Sequence, residues 1–402
     1  MKKTGVKVIA FLLFALFVFS CGEKTKKVDV KKLSSIIDAS NSFAYRLFEN
    51  LIQNEKGKNV FISPTSIYTA LSMAMNGAKG TTYNEMADIL GLKSLTRKQI
   101  NLLSKALLES LSNLNPEIKL NIANSIWIDN SVKAVKKFIK DSKDNFNSEI
   151  RNLKFNASTP GKINSWVADN TDNMIKKLIS TLPANAKIVL LNAIFFHGKW
   201  KEPFKEHNTR PRVFTMENGV KIKHPIMHQM EEHPYYENSK YQVLRLDYGK
   251  ERKAGIVLIL PKAGKKAAEI YKEIMNDKIK TFPYHTKKGY VYLPKFKISY
   301  GVKSIVSPLM SLGMKKAFTP MADFNNMVEA GKLKIADVLH KAVIELNEKG
   351  TKASGSTAIV MEKTAARLDV FRFIANRPFL YFITDNRTGL ILFMGIMHKP
   401  EL

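Results

Sequence analysis

Three histidines stand within ten residues of one another, at His224, His228 and His233. Imidazole is a common zinc ligand, and two histidines four residues apart can share one face of a helix. Here Pro225 and Pro234 interrupt any such helix, and no carboxylate completes a familiar ligand spacing. We therefore expect ordinary strand or surface histidines and no metal site.

The familiar catalytic motifs are missing from the rest of the chain. The sequence has no GxSxG nucleophile elbow, no phosphate-binding P-loop, no GxGxxG dinucleotide motif and no HExxH zinc motif. A single cysteine among 402 residues excludes a disulfide framework and any CxxC zinc, redox or iron–sulfur site. We predict a protein that is not an enzyme and needs no cofactor.

The one cysteine ends an N-terminal segment that is typical of export signals. Three lysines are followed by the apolar run Val8–Phe19, and Val18-Phe19-Ser20-Cys21 resembles the lipobox of bacterial lipoproteins. The run is shorter than the roughly 20 residues that a membrane-spanning helix needs. We predict a signal peptide over residues 1–20 and lipid attachment at Cys21, which would hold an exported protein at the cell envelope or cell surface. The alternative is an ordinary secretory signal with an incidental cysteine.

Lysine dominates the charge of the chain. The net charge is +29, from 64 Lys and Arg against 35 Asp and Glu. We interpret the Lys-rich residues 21–35 as a solvated tether that is attracted to anionic lipid. More lysines occur in Lys133–Lys143, but no nucleic-acid motif or interleaved aromatic pattern accompanies them. We expect a basic solvated surface and no nucleic-acid partner, and leave open whether this surface binds another polyanion.

The elements that must position these residues change character along the chain. Apolar residues at helical spacing occur in residues 43–51, after Ser63-Pro64, and in residues 83–90 and 96–114. Strand-like runs follow at residues 120–128, 186–196, 242–248, 255–260, 289–293, 343–346, 379–384 and 390–394. Helices first and strands later, without βαβ alternation, predict an α+β fold. No linker or repeat interrupts the chain from residue 36, so we expect one domain over residues 36–402.

Short motifs that follow one another in order from about residue 36 to residue 400 resemble those of the serpin family. They are Asn59–Ser66, Gly77–Thr82, Ile122–Ile126, Ile163–Val167, Leu191–Trp200 with Pro203-Phe204, His340–Ala342, Asn347–Thr351, Arg377–Phe379 and Phe393–Gly395. One such motif alone is weak, but this many in register are specific. The resemblance implies a serpin fold with three β-sheets, about nine helices and an exposed reactive loop.

The same resemblance implies a function. Most serpins trap serine proteases, some trap cysteine proteases, and a minority inhibit nothing. The target protease cuts the exposed loop, and the cut loop then inserts as a new strand into the main sheet. We expect target endopeptidases as partners, held as covalent acyl-enzymes, and we expect the protein to be a monomer. The alternative is a non-inhibitory, surface-anchored serpin that acts as a binding module or carrier.

By resemblance, three groups of residues control how the loop enters the sheet. The first group lies where the central strands of the main sheet part, the second lies near the point where the loop enters, and the third is a pair that anchors the base of the loop. The groups are Ser63, Ser66, Asn192 and His340; Lys199 and Trp200; and Lys295 and Glu348.

The loop, about residues 350–377, has a composition that suits insertion. A strand points alternate residues to opposite faces. Beyond Glu348 and Gly350, one face of the hinge begins with small, uncharged residues: Thr351, Ala353, Gly355 and Thr357. Lys352, the only charge before Glu362, has the opposite parity and would stay in solvent. A non-inhibitory serpin would be expected to carry charged, bulky or proline residues on the inward face.

Two counting rules drawn from the family place the scissile bond differently. Counted from Glu348 as the first residue, the seventeenth begins the bond Thr364–Ala365. Counted back ten residues from Pro378, the bond is Arg367–Leu368. The later bond would add about 10 Å of slack to the inserted strand, so we favour Thr364–Ala365, with Lys363–Thr364 second and Arg367–Leu368 third. Thr or Ala suits elastase- or subtilisin-like proteases and Lys or Arg suits trypsin-like ones, so the target stays open.

Overall fold

The computed structural model describes residues 30–112, 114–183, 185–277, 282–329, 333–351 and 370–402. The described helices are α1 Val30–Asn54, α2 Pro64–Gly77, α3 Gly80–Ile89, α4 Arg97–Ser112, α5 Lys136–Phe146, α6 Thr159–Asn170, α7 Ala267–Asp277 and α8 Val306–Ser311. The described strands are β1 Val60–Ile62, β2 Ile118–Asp129, β3 Glu149–Leu153, β4 Ile188–Lys199, β5 Arg210–Thr215, β6 Lys221–Glu237, β7 Tyr241–Tyr248, β8 Ala254–Pro261, β9 His285–Pro294, β10 Phe296–Ser304, β11 Asp337–Asn347, β12 Gly350–Thr351, β13 Phe371–Ile374, β14 Phe379–Asp385 and β15 Ile391–Met397. This order, helices mostly before strands, confirms the predicted α+β fold.

Helix α1 moves the expected start of the domain. It begins at Val30, inside the segment that we interpreted as a tether. Leu33 packs against the hydrophobic core, and Ile36 and Ile37 are buried one turn later. The amphipathic pattern therefore extends one turn before residue 36. Residues 30–35 belong to the first helix, and a tether can include only residues before Val30.

In the described part of the chain, the main sheet has six strands in the order β10-β11-β12-β4-β2-β3. Its central strands β4 and β11 run parallel and pair directly from Val189–Asp337 to Phe195–Val343. Beyond that point the short strand β12 lies between them and is antiparallel to both. The two central strands thus separate at one end of the sheet.

The second sheet has nine strands among the described residues, in the order β1-β15-β14-β8-β7-β6-β9-β13, with β5 also paired to β6. The resemblance implies three sheets, and two of them are joined here because β6 is 17 residues long. Its first part pairs with β5 and its middle with β9, while its last residues pair with β7. The strands of the two sheets therefore form one continuous hydrogen-bonded sheet.

Helix α2 links the two sheets. It begins at Ser63-Pro64, as predicted, with the Ser63 side chain accepting the Ser66 N–H at 3.4 Å and proline at the first helical position. Every residue of α2 is buried, because the helix packs against β15 on one side and β4 and β2 on the other. On the opposite face of the main sheet, α6 packs through Trp166 against Trp127. The main sheet is therefore covered on both faces near its central strands.

Candidate functional site

A buried hydrogen-bond network crosses the place where β4 and β11 meet. The Ser63 N–H donates to Nε2 of His340 at 3.2 Å, so the ring proton is on Nδ1 and is donated to Oδ1 of Asn192 at 2.6 Å. The Asn192 amide in turn donates to the Ser66 hydroxyl and to Oδ1 of Asn124. We call Ser63, Ser66, Asn124, Asn192 and His340 the central network. It ties α2 to strands β2, β4 and β11.

The central network is neutral. Burial lowers the pKa of His340 to about 3, so the imidazole carries no charge at physiological pH. Each of its two nitrogens already has a partner. The Asn124 Nδ2 group is buried and has no partner among the described residues. The network therefore holds one unused amide donor close to the junction of the central strands.

The hinge begins inside the main sheet. Gly350 pairs with Asn347 of β11 and with Lys199 of β4, and Thr351 pairs with Leu346 and Gly198 one step further. Gly350 has a φ of +142°, and a Cβ atom at this position would collide with the carbonyl oxygen of Gly198. Only glycine fits this left-handed conformation and this close approach. The residue type at position 350 thus allows the chain to turn back between the two central strands.

A buried aromatic pair holds the next residue. Thr351 has no exposed surface, and its hydroxyl lies 2.9 Å from the hydroxyl of Tyr248. The Tyr248 ring stacks on Trp200 with centroids 4.6 Å apart and planes 9° apart. Trp200 donates its ring N–H to the carbonyl of Asn347 at 2.9 Å and its backbone N–H to Lys349 at 3.1 Å. Trp200 therefore fixes the turn that leads into the hinge.

An ion pair lies at the base of the same turn. Lys295 Nζ is 3.1 Å from Glu348 Oε2, and the Thr209 hydroxyl donates to Glu348 Oε1 at 2.9 Å. Burial would raise the pKa of Glu348, but hydrogen bonds from its own backbone N–H, from Lys295 and from Thr209 lower it overall. Glu348 is therefore held as a carboxylate, and its backbone carbonyl accepts from Phe204 N–H at 2.8 Å.

These contacts bring together every candidate residue that the structure describes. The four residues assigned to the parting of the strands form one network, Lys199 and Trp200 flank the hinge, and Lys295 contacts Glu348. Several other candidates lie outside the described residues: Cys21, Ala353, Gly355, Thr357, Lys363, Thr364, Ala365, Arg367 and Leu368.

Sequence reasoning missed three contributors to this site. Asn124 lies in the motif Ile122–Ile126, which marks the family but assigns no role to its asparagine. Tyr248 ends an apolar strand and looks like a core tyrosine, and Thr209 stands in a polar stretch. For Tyr248 and Thr209 no local pattern signals a contact with residues about 100 positions or more away.

The histidines first considered as metal ligands lie on β6 with different partners. His224 donates Nε2–H to the carbonyl of Lys295, His228 stacks on Tyr290 and Tyr292, and His233 contacts Gln229. Within the described ranges, no group of three or more His, Cys, Asp or Glu side chains is arranged to hold a metal ion. The described helices also include none that is long and apolar enough to cross a membrane.

Comparison with known proteins gives a consistent result. The family profile described as "Serpin (serine protease inhibitor)" matches residues 38–400. An uncharacterized serpin-like protein of Thermococcus kodakarensis is 34% identical over 400 residues, covering 94% of this chain and 89% of that protein.

Solved structures are similar over the same span. Tengpin, a thermophilic serpin in its native state, superposes with a TM-score of 0.84 at 31% identity, covering 93% of this chain and 95% of its own. Human thyroxine-binding globulin, in complex with thyroxine, superposes with a TM-score of 0.82 at 29% identity, covering 92% of this chain and 100% of its own.

Proposed function

The chain belongs to the serpin family, and we propose that it inhibits serine endopeptidases as a suicide substrate. The nucleophile of the target attacks the carbonyl of Thr364 and forms an acyl-enzyme. The cut loop then inserts between β4 and β11 and drags the tethered enzyme away. Deacylation depends on the geometry of the enzyme's triad and oxyanion hole, so distortion of that geometry traps the complex. Cysteine endopeptidases follow the same acyl chemistry and are included in the proposal.

The observation that carries the proposal is the position of Gly350 and Thr351 between β4 and β11. A strand that starts there can lengthen only by separating the two central strands. Separation breaks the ladder between β4 and β11, but the new strand pairs with both neighbours. One ladder of hydrogen bonds is exchanged for two, which favours insertion once the loop is free to move.

The central network lies directly in the path of the inserting strand. His340 and Asn192 are register partners in the ladder between β4 and β11, and their hydrogen bond closes the gap between these strands. Insertion must break this bond, and a buried polar group without a partner costs about 1–3 kcal/mol. The inserted strand therefore has to offer a replacement.

Extending the register of β12 identifies that replacement. Thr351 pairs with Leu346 and Gly198, and six residues before these partners are His340 and Asn192. Six residues beyond Thr351 is Thr357, which has the same inward parity. A hydroxyl both donates and accepts, so Thr357 suits the two groups that insertion leaves unpaired. This match supports insertion as the function of the loop.

The proposal is tested by incubation with a panel of elastase-like, subtilisin-like and trypsin-like proteases, followed by denaturing electrophoresis. We expect a covalent complex with at least one of them and release of a C-terminal peptide that begins at Ala365. The same proteases with a blocked nucleophile are the control. A cut loop without any complex would contradict the proposal and favour the non-inhibitory alternative.

We further propose that the mature protein is anchored through a lipid on Cys21. The support is the N-terminal sequence pattern: basic residues, the short apolar run Val8–Phe19 and a small residue before the cysteine. Together with a lysine-rich tether that ends before Val30, this would hold the inhibitor near an anionic membrane surface.

A further inference from the structure

Two arginines and three rings form one stacked cluster on the nine-stranded sheet. The Arg212 guanidinium lies 4.7 Å from the ring centroid of Tyr292, which stacks on His228 at 4.4 Å. His228 also stacks on Tyr290 at 5.8 Å, and Arg372 lies 5.3 Å from the Tyr290 centroid. We call these five residues the arginine–aromatic cluster. Each ring makes two of the contacts, so the ring faces are largely engaged within the cluster.

Four neighbouring strands contribute to the cluster. Ile226 of β6 pairs with both β5 and β9, so these two strands lie on opposite sides of β6, and β13 follows on the far side of β9. Across the sheet, three strand spacings, about 14 Å, separate the two arginines. Along β6 they are also offset by six residues, because Arg212 lies opposite His224 and Arg372 lies level with Met230. Arg372 is the second residue of β13, which is the first described strand after the reactive loop. A protease that cuts the loop must therefore approach this part of the surface.

The groups that remain for a partner are hydrogen-bond donors. Arg212 and Arg372 are exposed, and neither guanidinium pairs with a carboxylate of the described residues. The hydroxyls of the half-buried Tyr290 and Tyr292 likewise accept and donate no bond within the described ranges. Burial, with Arg212 nearby, lowers the pKa of His228, so the positive charge comes from the two arginines. Guanidinium and phenol donors in a row suit oxyanions such as carboxylates.

We propose that the arginine–aromatic cluster docks an acidic segment on the surface of the protease that attacks the loop. This inference rests on the proposed inhibitory function. Arginine and tyrosine are the residue types that dominate protein–protein hot spots, and Ile374, 38% exposed on the same strand face as Arg372, adds an apolar contact.

Two features favour a protein over a nucleic acid or a polysaccharide. The stacked rings offer little free face to a base or a sugar, and base stacking is what most single-strand binders use. The positive charge is also interrupted at the Arg372 end of the cluster, because Glu232 follows on the same face of β6, opposite Lys288. A long polyanion would need a longer basic track.

The first test measures binding of a fluorescein-labelled octaglutamate peptide to the full chain by fluorescence anisotropy. The double variant Arg212→Ala/Arg372→Ala should bind about tenfold more weakly, because two charge-assisted contacts are lost. The matched control, Lys136→Ala/Lys143→Ala, removes the same charge from α5 and should bind like the wild type. All four side chains are exposed, so a thermal melt should show both variants folded like the wild type.

Three outcomes of this test would overturn the proposal. The first is a wild-type chain that does not bind the peptide. The second is equal weakening in the two double variants, which would mean that net charge alone attracts the peptide. The third is tighter binding, lost in the same arginine variant, of octathymidylate or of a heparin hexasaccharide. The conservative pair Arg212→Lys/Arg372→Lys should weaken binding less than the alanine pair, because charge is kept and the planar fork is lost.

A second test uses a protease that forms a covalent complex with the wild type. Arg212→Ala/Arg372→Ala should slow complex formation at low salt and leave the amount of complex at completion unchanged, because docking precedes cleavage. An unchanged rate would overturn the docking proposal. A wild type that forms no complex with any protease would count against the proposed inhibitory function, while the peptide measurement would still decide on the cluster.

Discussion

The hydroxyl oxygens of Tyr248 and Thr351 lie 2.9 Å apart in a fully buried contact. Burial raises the pKa of Tyr248, so its hydroxyl stays protonated and can donate. Thr351 is therefore fixed through its side chain as well as through its pairing with Leu346 and Gly198. The first inward residue of the hinge is already paired within the sheet, so the proposed insertion would start from a strand that already exists.

Adjacent hinge residues should respond in opposite ways to arginine. Thr351→Arg would place a guanidinium in a fully buried position, where an unpaired charge costs at least several kcal/mol. Insertion should slow relative to deacylation, so the variant becomes a substrate. Lys352→Arg keeps a charge on the parity that the sequence predicts to face solvent, so it should change little. The effect of each substitution is measured as the number of inhibitor molecules consumed per protease inhibited. An equal effect of the two substitutions would contradict the assignment of Thr351 to the inward face and of Lys352 to the outward face.

The register argument makes Thr357 the residue that replaces the bond between His340 and Asn192. Thr357→Val keeps the size of the side chain and removes the hydroxyl, so the inserted strand would leave both groups without a partner. We expect more inhibitor consumed per protease and a lower melting temperature of the cleaved form. Ser356→Ala, with the opposite parity, is the matched control. The register that places Thr357 opposite His340 and Asn192 would be wrong if Ser356→Ala had a larger effect than Thr357→Val.

His340 should make the stability of the native form depend on pH. Well above pH 6.5, which is the usual pKa of histidine, the imidazole is neutral in the folded and the unfolded chain, and its contribution to stability is complete. As the pH falls, the unfolded chain takes up a proton that the folded chain refuses until about pH 3, so stability is lost. We expect the unfolding temperature of the wild type to decrease between pH 6.5 and 4.5.

The variant His340→Gln should have a lower unfolding temperature but a shallower dependence on pH. Some slope should remain, because burial also lowers the pKa of His233 to about 4. His207 is exposed, and His207→Gln serves as the control with the wild-type slope. An unchanged slope in His340→Gln would show that His340 does not carry the effect.

The proposed lipid anchor on Cys21 would determine where the protein resides. Cys21→Ala removes the sulfur that would carry the lipid, so processing should stop or the protein should leave the membrane fraction. Ser20→Ala keeps a small residue before the cysteine and should behave like the wild type. Fractionation of cells that express each variant gives the answer. Unchanged membrane association of Cys21→Ala would rule out the lipid anchor.

The parts of the fold that follow from local pattern could be predicted from the sequence. Ser63-Pro64 predicts the start of α2 because capping is local, and the strand-like runs at residues 255–260 and 379–384 lie in β8 and β14 because apolar strands have a clear signature. Strand β6 is too polar for such a signature. Its length, which joins two sheets, is visible only in the structure.

The residues of the candidate site also divide into those that the sequence could predict and those that it could not. His340 and Asn192 could be named because each stands in a family motif, but their shared bond depends on strand register, which no spacing along the chain encodes. Tyr248 has no motif at all. The arginine–aromatic cluster is drawn from four strands, so the interleaved basic and aromatic pattern that the sequence lacks exists only in three dimensions.

The central claim is that separation of β4 and β11 drives inhibition, and a reversible lock between these strands tests it most directly. Ala193 and Lys341 are register partners in the β4–β11 ladder, so Ala193→Cys/Lys341→Cys, in a chain with Cys21→Ser, can form a disulfide across them. The measurement is the fraction of protease trapped as covalent complex, with and without reductant. We predict that the oxidised variant is cut as a substrate and that reduction restores trapping, while the chain with Cys21→Ser alone traps protease under both conditions. Full trapping by the oxidised, locked variant would contradict the account.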